Sequence, residues 1–272
     1  MLLMNGAALS AQFRTVPDEE LRRTGVAPVE PFRVIGNIYY VGTEGISAFL
    51  ITTSAGHILL DTGYAEGVPV VRGSIEKLGF NLRDIELIIN SHSHGDHVGG
   101  HALVKELTGA KVLSSAADAP AMARGGAREG SPKLFEIDQI IRDKQEITLG
   151  GVKLVAHLTP GHTPGCTTWT MAVEEGGKKY NVLFHCSTSF SEGVRLTGDP
   201  AHPTRGADFR KTFAALKSLP CDILFLPHGQ LFDLIGKMRR LKNGEKPNPF
   251  IDPAGCRSYI EKAEREFLTL PQ

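Results

Sequence analysis

The stretch His92-Ser93-His94-Gly95-Asp96-His97 decides how the rest of the chain is interpreted. It places three imidazoles and one carboxylate within six residues, which is more than one divalent ion normally takes from so short a segment. The spacing therefore predicts two adjacent metal ions, an arrangement typical of two-metal hydrolases. Residues 85–90 read as a short apolar strand, and residues 98–107 as a helix with a glycine-rich start. The sequence thus predicts that the ligands lie on a strand-to-helix turn.

Two later segments each offer one more histidine. His162 lies in the turn Thr159-Pro160-Gly161-His162-Thr163-Pro164-Gly165, directly after an alternating strand at residues 152–158. Proline and glycine on both sides restrict the backbone there, which favours a rigidly held ligand. His228 follows a strand of buried type at residues 223–226. Together with the first stretch these segments supply five imidazoles and one carboxylate, enough for three ligands on each of two metals.

Length and charge limit the remaining possibilities. The chain of 272 residues balances 30 Lys+Arg against 30 Asp+Glu, and it has no basic cluster with interleaved aromatic residues, so nothing indicates a nucleic-acid partner. The candidate ligands span residues 92–228 without a linker, which favours a single domain over residues 12–272. Helical stretches, such as residues 70–78 and 208–218, alternate with short strands, and this alternation predicts two packed sheets with helices outside.

The N-terminal residues bear on location. Residues 1–11 end in small side chains as a secretory signal peptide does, yet they lack its basic start. They fit either a signal-peptide remnant or an ordinary flexible end. Their apolar stretch is too short to span a bilayer, so we expect no stable membrane insertion.

The order of these motifs resembles the metallo-β-lactamase superfamily. The resemblance covers nearly the whole chain, from residues 38–42 and the segment Ile58-Leu59-Leu60-Asp61-Thr62-Gly63 to His228. It implies the α/β class, with an αββα sandwich of two mixed sheets flanked by helices. It also implies that Asp61 supports the metal site from behind rather than binding a metal itself.

The superfamily hosts many activities, so the fold does not decide the reaction. Its thioesterases and lactonases carry a metal-bridging aspartate after the strand at residues 181–184, where this chain has Ser187. Without that carboxylate the second metal is more open and a better electrophile for an amide. This pattern, with His92 first and His97 after Asp96, resembles the third subclass of class B β-lactamases. Cys186 leaves one alternative open, because a one-residue shift of the alignment would put a thiol near the second metal.

The resemblance implies roles for individual residues. Six side chains would hold two Zn²⁺ ions: His92, His94 and His162 the first, and Asp96, His97 and His228 the second. Asp96 would also orient the hydroxide that attacks the lactam carbonyl. Ser187 and Ser189 would bind the substrate carboxylate, and their interpretation as ordinary polar loop residues stays open.

The implied activity is that of a zinc-dependent β-lactamase. Such an enzyme hydrolyses the β-lactam amide of penicillins, cephalosporins and carbapenems with a metal-bound hydroxide and confers antibiotic resistance. Its partner would be a small-molecule β-lactam, and we expect a monomer that is periplasmic or secreted from a bacterium. One alternative is another hydrolase of this fold, such as a lactonase or thioesterase. A zinc protein with a sensing or redox role is a further alternative, which the missing bridging aspartate disfavours.

The four cysteines are Cys166, Cys186, Cys221 and Cys256. An even number is compatible with disulfides but indicates little in a chain of this length. The resemblance implies a Cys221–Cys256 bridge, since the third subclass links a cysteine seven residues before its last histidine ligand to its C-terminal helix, and Cys221 has that spacing from His228. For Cys166 and Cys186, a second bridge and two buried free thiols both stay open.

Overall fold

The computed structural model describes residues 18–124, 135–190 and 195–270. The first half of the chain forms a seven-stranded sheet whose strands lie in sequence order. They are β1 (Phe32–Ile35), β2 (Ile38–Tyr40), β3 (Phe49–Thr53), β4 (Gly56–Leu60), β5 (Ile85–Ile89), β6 (Lys111–Ser115) and β7 (Gln139–Ile141). Strands β1 to β4 pair antiparallel, and β4 to β7 pair parallel.

A five-stranded sheet packs against the first, with the order β12-β11-β10-β9-β8. Its strands are β8 (Glu146–Leu149), β9 (Val152–Leu158), β10 (Thr167–Glu175), β11 (Lys178–Phe184) and β12 (Ile223–Phe225). Strands β8 to β11 pair antiparallel, whereas β12 pairs parallel with β11. Both sheets are therefore mixed, as the resemblance implies.

Helices flank the two sheets. They are α1 (Asp18–Thr24), α2 (Val68–Lys77), α3 (Gly95–Val98), α4 (His101–Thr108), α5 (Ala119–Met122), α6 (Arg205–Ser218), α7 (Leu234–Lys242) and α8 (Pro253–Leu268). Val71 of α2 and Val104 of α4 pack in a buried cluster with residues of the first sheet. Leu216 of α6 and Ile260 of α8 pack against Leu183 of β11 in the second sheet. The predicted αββα sandwich is thus confirmed.

The main core lies between the sheets and is rich in aromatic side chains. Phe49 of β3 contacts Phe184 of β11 and Phe225 of β12, with ring centroids 5.2 and 4.6 Å away. Trp169 of β10 is fully buried, and its Nε1 donates to the carbonyl of Asn90 at 2.9 Å. Aromatic pairs of this kind add about 0.5–1.5 kcal/mol each to the free energy of burial. The core therefore fixes the ends of β11 and β12 against the first sheet.

Because of the strand directions, the ends of six strands lie at one edge of the sandwich. Strands β4, β5 and β6 run parallel, so the loops that follow them leave the same end of the first sheet. Strands β9, β11 and β12 share one direction in the second sheet, because β10 is antiparallel to both β9 and β11. Thr167 N donates to Ser91 O at 2.8 Å and joins the two sheets at this end. The loops after all six strands therefore meet.

The prediction of one helix over residues 98–107 is wrong at its start. The chain becomes helical earlier, at Gly95, and Gly99 and Gly100 then separate α3 from α4. A Cβ on Gly100 would lie 2.5 Å from Val68 Cγ2, and a Cβ on Gly99 would overlap the carbonyl of Gly95. Gly100 is the N-cap residue of α4, and its lack of a side chain also allows close packing against Val68 and Thr62.

Two disulfides tie the second sheet to its surroundings. Cys221, just before β12, is bonded to Cys256 of α8, the pair that the resemblance implies. Cys166 and Cys186 are bonded to each other as well. This second bridge removes the alternative of a Cys186 thiolate beside the second metal. Residues 1–11 lie outside the described residues, and none of the described helices is long and apolar enough to cross a membrane.

The Cys221–Cys256 bridge closes a loop with a sequence separation of 35 residues. On the chain-entropy model, such a loop stabilises the folded state by about 3–4 kcal/mol. The double variant Cys221→Ala/Cys256→Ala should lose that amount in its free energy of unfolding, measured by urea denaturation under oxidising conditions. An unfolding free energy equal to that of the oxidised wild type would contradict the prediction.

Candidate metal centre

Six side chains converge where the strand ends meet, and they form two groups of three. The first group is His92, His94 and His162; the second group is Asp96, His97 and His228. Within each group the potential ligand atoms all lie within 4.8 Å of one another. The groups are adjacent, since the ring centroids of His92 and His97 are 4.2 Å apart. The structure thus brings together all six predicted ligands, in the predicted groups.

The ligands come from loops that are distant in sequence. His92 follows β5, His162 follows β9, and His228 follows β12. His92 and His162 are 70 positions apart, yet their Nε2 atoms approach to 3.2 Å. Asp96 and His97 lie in the single turn of α3 rather than in the preceding loop. The carboxyl-end edge of the sandwich is therefore what assembles the site.

Asp61 lies behind the cluster and holds both groups. Its carboxylate accepts hydrogen bonds from Ser91 N at 2.7 Å, Ser91 Oγ at 2.7 Å and His97 Nδ1 at 3.1 Å. Ser91 Oγ in turn lies 3.0 Å from His92 Nδ1. When Ser91 donates to Asp61, its oxygen accepts from His92 Nδ1–H, so the Nε2 lone pair of His92 stays available to a metal. A carboxylate behind metal-binding histidines orients them in this way.

Main-chain carbonyls orient two more rings. His162 Nδ1 donates to Ser189 O at 2.7 Å, and His228 Nδ1 donates to Gly45 O at 3.2 Å. A carbonyl can only accept, so in both rings Nδ1 carries the hydrogen and Nε2 keeps its lone pair. The two groups therefore present ligand atoms in the tautomer that a metal requires.

The charges of the cluster favour a bound cation. Burial and the neighbouring imidazoles hold the pKa of His92 well below its usual range. Burial lowers the pKa of His162 and of His228 to about 4, so these rings are neutral near pH 7. His97 differs: burial opposes its charging, but Asp96 and Asp61 raise its pKa to about 10. A metal ion would take the place of that proton, since metal binding releases protons from its ligands.

The donor atoms fit a metal ion. His97 Nε2 is buried and forms no hydrogen bond, although it lies 3.2 Å from Asp96 Oδ2. A buried polar atom without a partner is costly unless another species satisfies it. Imidazole nitrogen and carboxylate oxygen are ligands that Zn²⁺ takes, and three protein ligands leave a coordination position for a reactant.

Ser187 and Ser189 lie beside the first group. Their hydroxyl oxygens are 2.9 Å apart, and Ser189 N donates to Ser187 Oγ at 3.1 Å. Ser189 Oγ also lies 3.3 Å from His162 Nδ1. The structure therefore places both hydroxyls next to the candidate metal centre, while residues 191–194 of the same loop lie outside the described residues.

One buried carboxylate of the site, Asp118, was not predicted from the sequence. It follows β6 at the same edge and is 1% exposed. Burial raises the pKa of its carboxyl, whereas its hydrogen bonds to Thr163, Gly165 and Ser93 favour the anion. An acidic residue just beyond a parallel strand, as Asp61 is beyond β4, is the signal that could have identified it.

Comparison with known proteins identifies relatives. Residues 41–228 match the profile of the metallo-beta-lactamase superfamily. The chain is 37% identical over 117 residues to a hydroxyacylglutathione hydrolase of Anaeromyxobacter dehalogenans, which covers 42% of this chain and 38% of that protein. It is 25% identical over 218 residues to a beta-lactamase-like protein 2 homolog of Caenorhabditis elegans, which covers 78% of this chain and 67% of that protein. The match to the first relative thus spans well under half of that protein.

Solved structures match over more of their length. The FEZ-1 metallo-beta-lactamase from Legionella gormanii is 38% identical, with a TM-score of 0.85, and the match covers 89% of this chain and 95% of that one. BJP-1, a subclass B3 metallo-beta-lactamase of Bradyrhizobium japonicum, is 38% identical with a TM-score of 0.85, and the match covers 91% and 95%. The similarity therefore extends well beyond the region of the family profile.

The supporting role of Asp61 can be tested in the metal-free protein. Its φ of 59° lies in the left-handed region, which Asn tolerates and where Ala costs about 1–2 kcal/mol. Asp61→Asn should lower the free energy of unfolding by about 1.5–3 kcal/mol, because hydrogen bonds to a charged group are lost. Asp61→Ala should lose about 1–2 kcal/mol more. The exposed control Asp84→Asn should stay within about 0.5 kcal/mol of wild type. Equal free energies of unfolding for Asp61→Asn and wild type in urea denaturation would contradict the supporting role of Asp61.

Proposed function

Because this chain belongs to the metallo-beta-lactamase superfamily, we propose that it is a zinc-dependent β-lactamase of the third subclass. It would open the β-lactam amide of penicillins, cephalosporins and carbapenems and so confer resistance to these antibiotics. One observation carries the proposal: Asp96 is the single carboxylate in the two ligand groups, and Ser187 occupies the place of a bridging aspartate. The similarity to FEZ-1 and BJP-1 supports it.

Two zinc ions would be held by the two ligand groups. His92, His94 and His162 would hold one ion, and Asp96, His97 and His228 would hold the other. Bound zinc lowers the pKa of a water molecule to about 7 and polarises a carbonyl. Hydrolysis at this site therefore needs no nucleophilic side chain from the protein.

Asp96 would orient the attacking water. Its Oδ2 lies 3.2 Å from His97 Nε2 and 3.8 Å from His228 Nε2, and its side chain is 13% exposed. Although burial opposes ionisation, His97 holds the pKa of Asp96 well below its usual range. Asp96 is therefore an anion at neutral pH, and it can accept a hydrogen bond from water at the edge of the second group.

Ser187 and Ser189 would bind the substrate carboxylate. Of the two hydroxyls, which lie 2.9 Å apart, one donates to the other, so at least one O–H remains for a ligand. The contact of Ser189 Oγ with His162 Nδ1 places the pair beside the first group. A β-lactam whose carboxylate is held there would present its neighbouring amide to the metal centre.

The compartment and the oligomeric state are part of the same proposal. We propose that the protein acts as a monomer in the periplasm or outside the cell. Its two disulfides fit an oxidising compartment, where such bonds form and persist.

A thioesterase is the second candidate, because the relative from Anaeromyxobacter dehalogenans is a hydroxyacylglutathione hydrolase. Parallel assays with a penicillin, a carbapenem, a homoserine lactone and a glutathione thioester distinguish the candidates. We expect zinc-dependent hydrolysis of both β-lactams and loss of activity after treatment with a chelator. Hydrolysis of the thioester or the lactone without hydrolysis of either β-lactam would overturn the proposal.

The serine pair gives a sharper test. Each hydrogen bond to the substrate carboxylate is worth about 1.5–3 kcal/mol, and about 1.4 kcal/mol corresponds to a factor of ten. The double variant Ser187→Ala/Ser189→Ala should therefore raise KM for penicillins at least about tenfold. Zinc content should not change, because the main-chain oxygen of Ser189, which accepts from His162, is retained.

Two further variants complete the serine test. Ser218→Ala, at an exposed hydroxyl on α6, should leave KM unchanged. Ser187→Asp should restore a carboxylate in the bridging place and depress β-lactam turnover. Unchanged kinetics in both the double alanine variant and Ser187→Asp would show that these serines are ordinary loop residues.

A further inference from the structure

We propose that Asp118 is the positioning residue of the first ligand group, because its carboxylate joins the two loops that carry His92, His94 and His162. The inference rests on the metal centre of the proposed function and not on the identity of the substrate. Asp118 holds the main chain around these ligands rather than a ligand ring.

The contacts of Asp118 reach both loops. Its Oδ2 accepts from Ser93 N at 3.0 Å and from Thr163 Oγ1 at 2.8 Å, and its Oδ1 accepts from Gly165 N at 2.8 Å. Ser93 lies between the ligands His92 and His94, and Thr163 directly follows His162. One carboxylate therefore sets the separation between the backbone of the first two ligands and that of the third.

Close packing restricts Asp118 to this position. Its own N–H donates to Ser115 Oγ at 3.3 Å, and Ser115 Oγ donates to the carbonyl of Gly165 at 2.8 Å. A Cβ on Gly165 would lie 2.5 Å from Asp118 N, so only glycine allows the His162 loop to approach this closely. Hydrogen bonds to an ionised carboxylate are shorter and stronger than neutral ones. Three hydrogen bonds and this close packing therefore hold the Asp118 carboxylate between the two loops.

Asp61 and Asp118 form hydrogen bonds with different segments of the site. Asp61 bonds Ser91, which precedes the stretch of residues 92–97, and His97, the last ligand within it. The bonds of Asp118 reach Ser93 of that stretch, 25 positions away, and Thr163 and Gly165 of the loop after β9, 45 and 47 positions away. Loss of Asp118 should therefore disturb the first group and leave the second group intact.

Two single variants serve as backgrounds in which Zn²⁺ binding to each ligand group can be measured separately. His228→Ala leaves the first group complete, and His162→Ala leaves the second group complete. In the His228→Ala background, Asp118→Asn should weaken Zn²⁺ affinity by about 10–100-fold. This is the loss typical when a group that orients metal ligands by hydrogen bonds is removed. In the His162→Ala background, the same substitution should change affinity by less than about threefold, because the bonds of Asp118 go to Ser93, Thr163 and Gly165 rather than to the ligands of the second group. Competition with a chromophoric chelator measures both constants, and Co²⁺ bound in the first background should show an altered visible spectrum.

A milder pair of variants covers the case in which Asp118→Asn fails to fold. Thr163 is 5% exposed and donates to Asp118. Thr163→Val removes the hydroxyl and should weaken Zn²⁺ binding in the His228→Ala background, whereas Thr163→Ser retains the donor and should restore it. Asp138→Asn is the matched control, since Asp138 also accepts a main-chain hydrogen bond, from Val112 N, and a bond from Lys105, in contacts separate from those of the ligand loops. It should leave both affinities unchanged.

The outcomes separate the two proposals. Equal losses of Zn²⁺ affinity in both backgrounds, or no loss in either, would overturn the role of Asp118 while leaving the zinc centre in place. A wild-type chain that binds no Zn²⁺ would overturn the proposed function and this inference together. A selective loss in the His228→Ala background, with rescue by Thr163→Ser, would establish Asp118 as a positioning residue.

Discussion

Buried carboxylates beneath a cluster of imidazoles are the interaction on which the site depends. Five histidines crowd into two adjacent groups, and burial alone disfavours any positive charge there. Asp61 offsets this by accepting three hydrogen bonds from Ser91 and His97. Its carboxylate both fixes ring orientation and supplies negative charge behind the place where a cation would lie. Without it His97 would lose the acceptor of its Nδ1–H, and Ser91 would no longer be held in place to accept from His92.

The sandwich makes that interaction possible because of how its strands run. The parallel arrangement of β4, β5 and β6 and the shared direction of β9, β11 and β12 send six loops to one edge. The aromatic core around Phe49, Phe184 and Phe225 packs the two sheets against each other. Groups on loops become precise when the strands that precede them are rigid. The Cys166–Cys186 bridge adds a covalent link between the segment after His162 and the segment of the serine pair.

The ligand groups alone do not distinguish a β-lactamase from a thioesterase. Both activities use metal ions to generate and aim a nucleophile, and the chain has relatives of both kinds. The difference lies in what surrounds the metals. On the proposed function, Ser187 in place of a bridging aspartate would leave less negative charge between the two groups and so favour attack on an amide. On the proposed function, substrate choice would therefore depend on the loop after β11.

The sequence by itself was enough to predict the six candidate ligands and the architecture. Spacing within residues 92–97, glycine and proline around His162, and the apolar strand before His228 are local patterns. The last two indicate little alone, and they predict ligands only together with residues 92–97. The β9 strand at residues 152–158 has the predicted bounds. The break between α3 and α4 was not predicted, because it depends on what packs against Gly99 and Gly100 rather than on helix propensity.

Only the tertiary structure decided how these parts are held. The bonds of Asp118 join positions 25 to 47 residues apart, and no periodicity in the chain encodes such a contact. The tautomers of His162 and His228 likewise follow from carbonyls of Ser189 and Gly45, which reach the rings only when the sheets are packed. Local sequence specifies which side chains are present and which strand precedes them. The partners of those side chains depend on loop proximity, which is set by strand direction and by the core between the sheets.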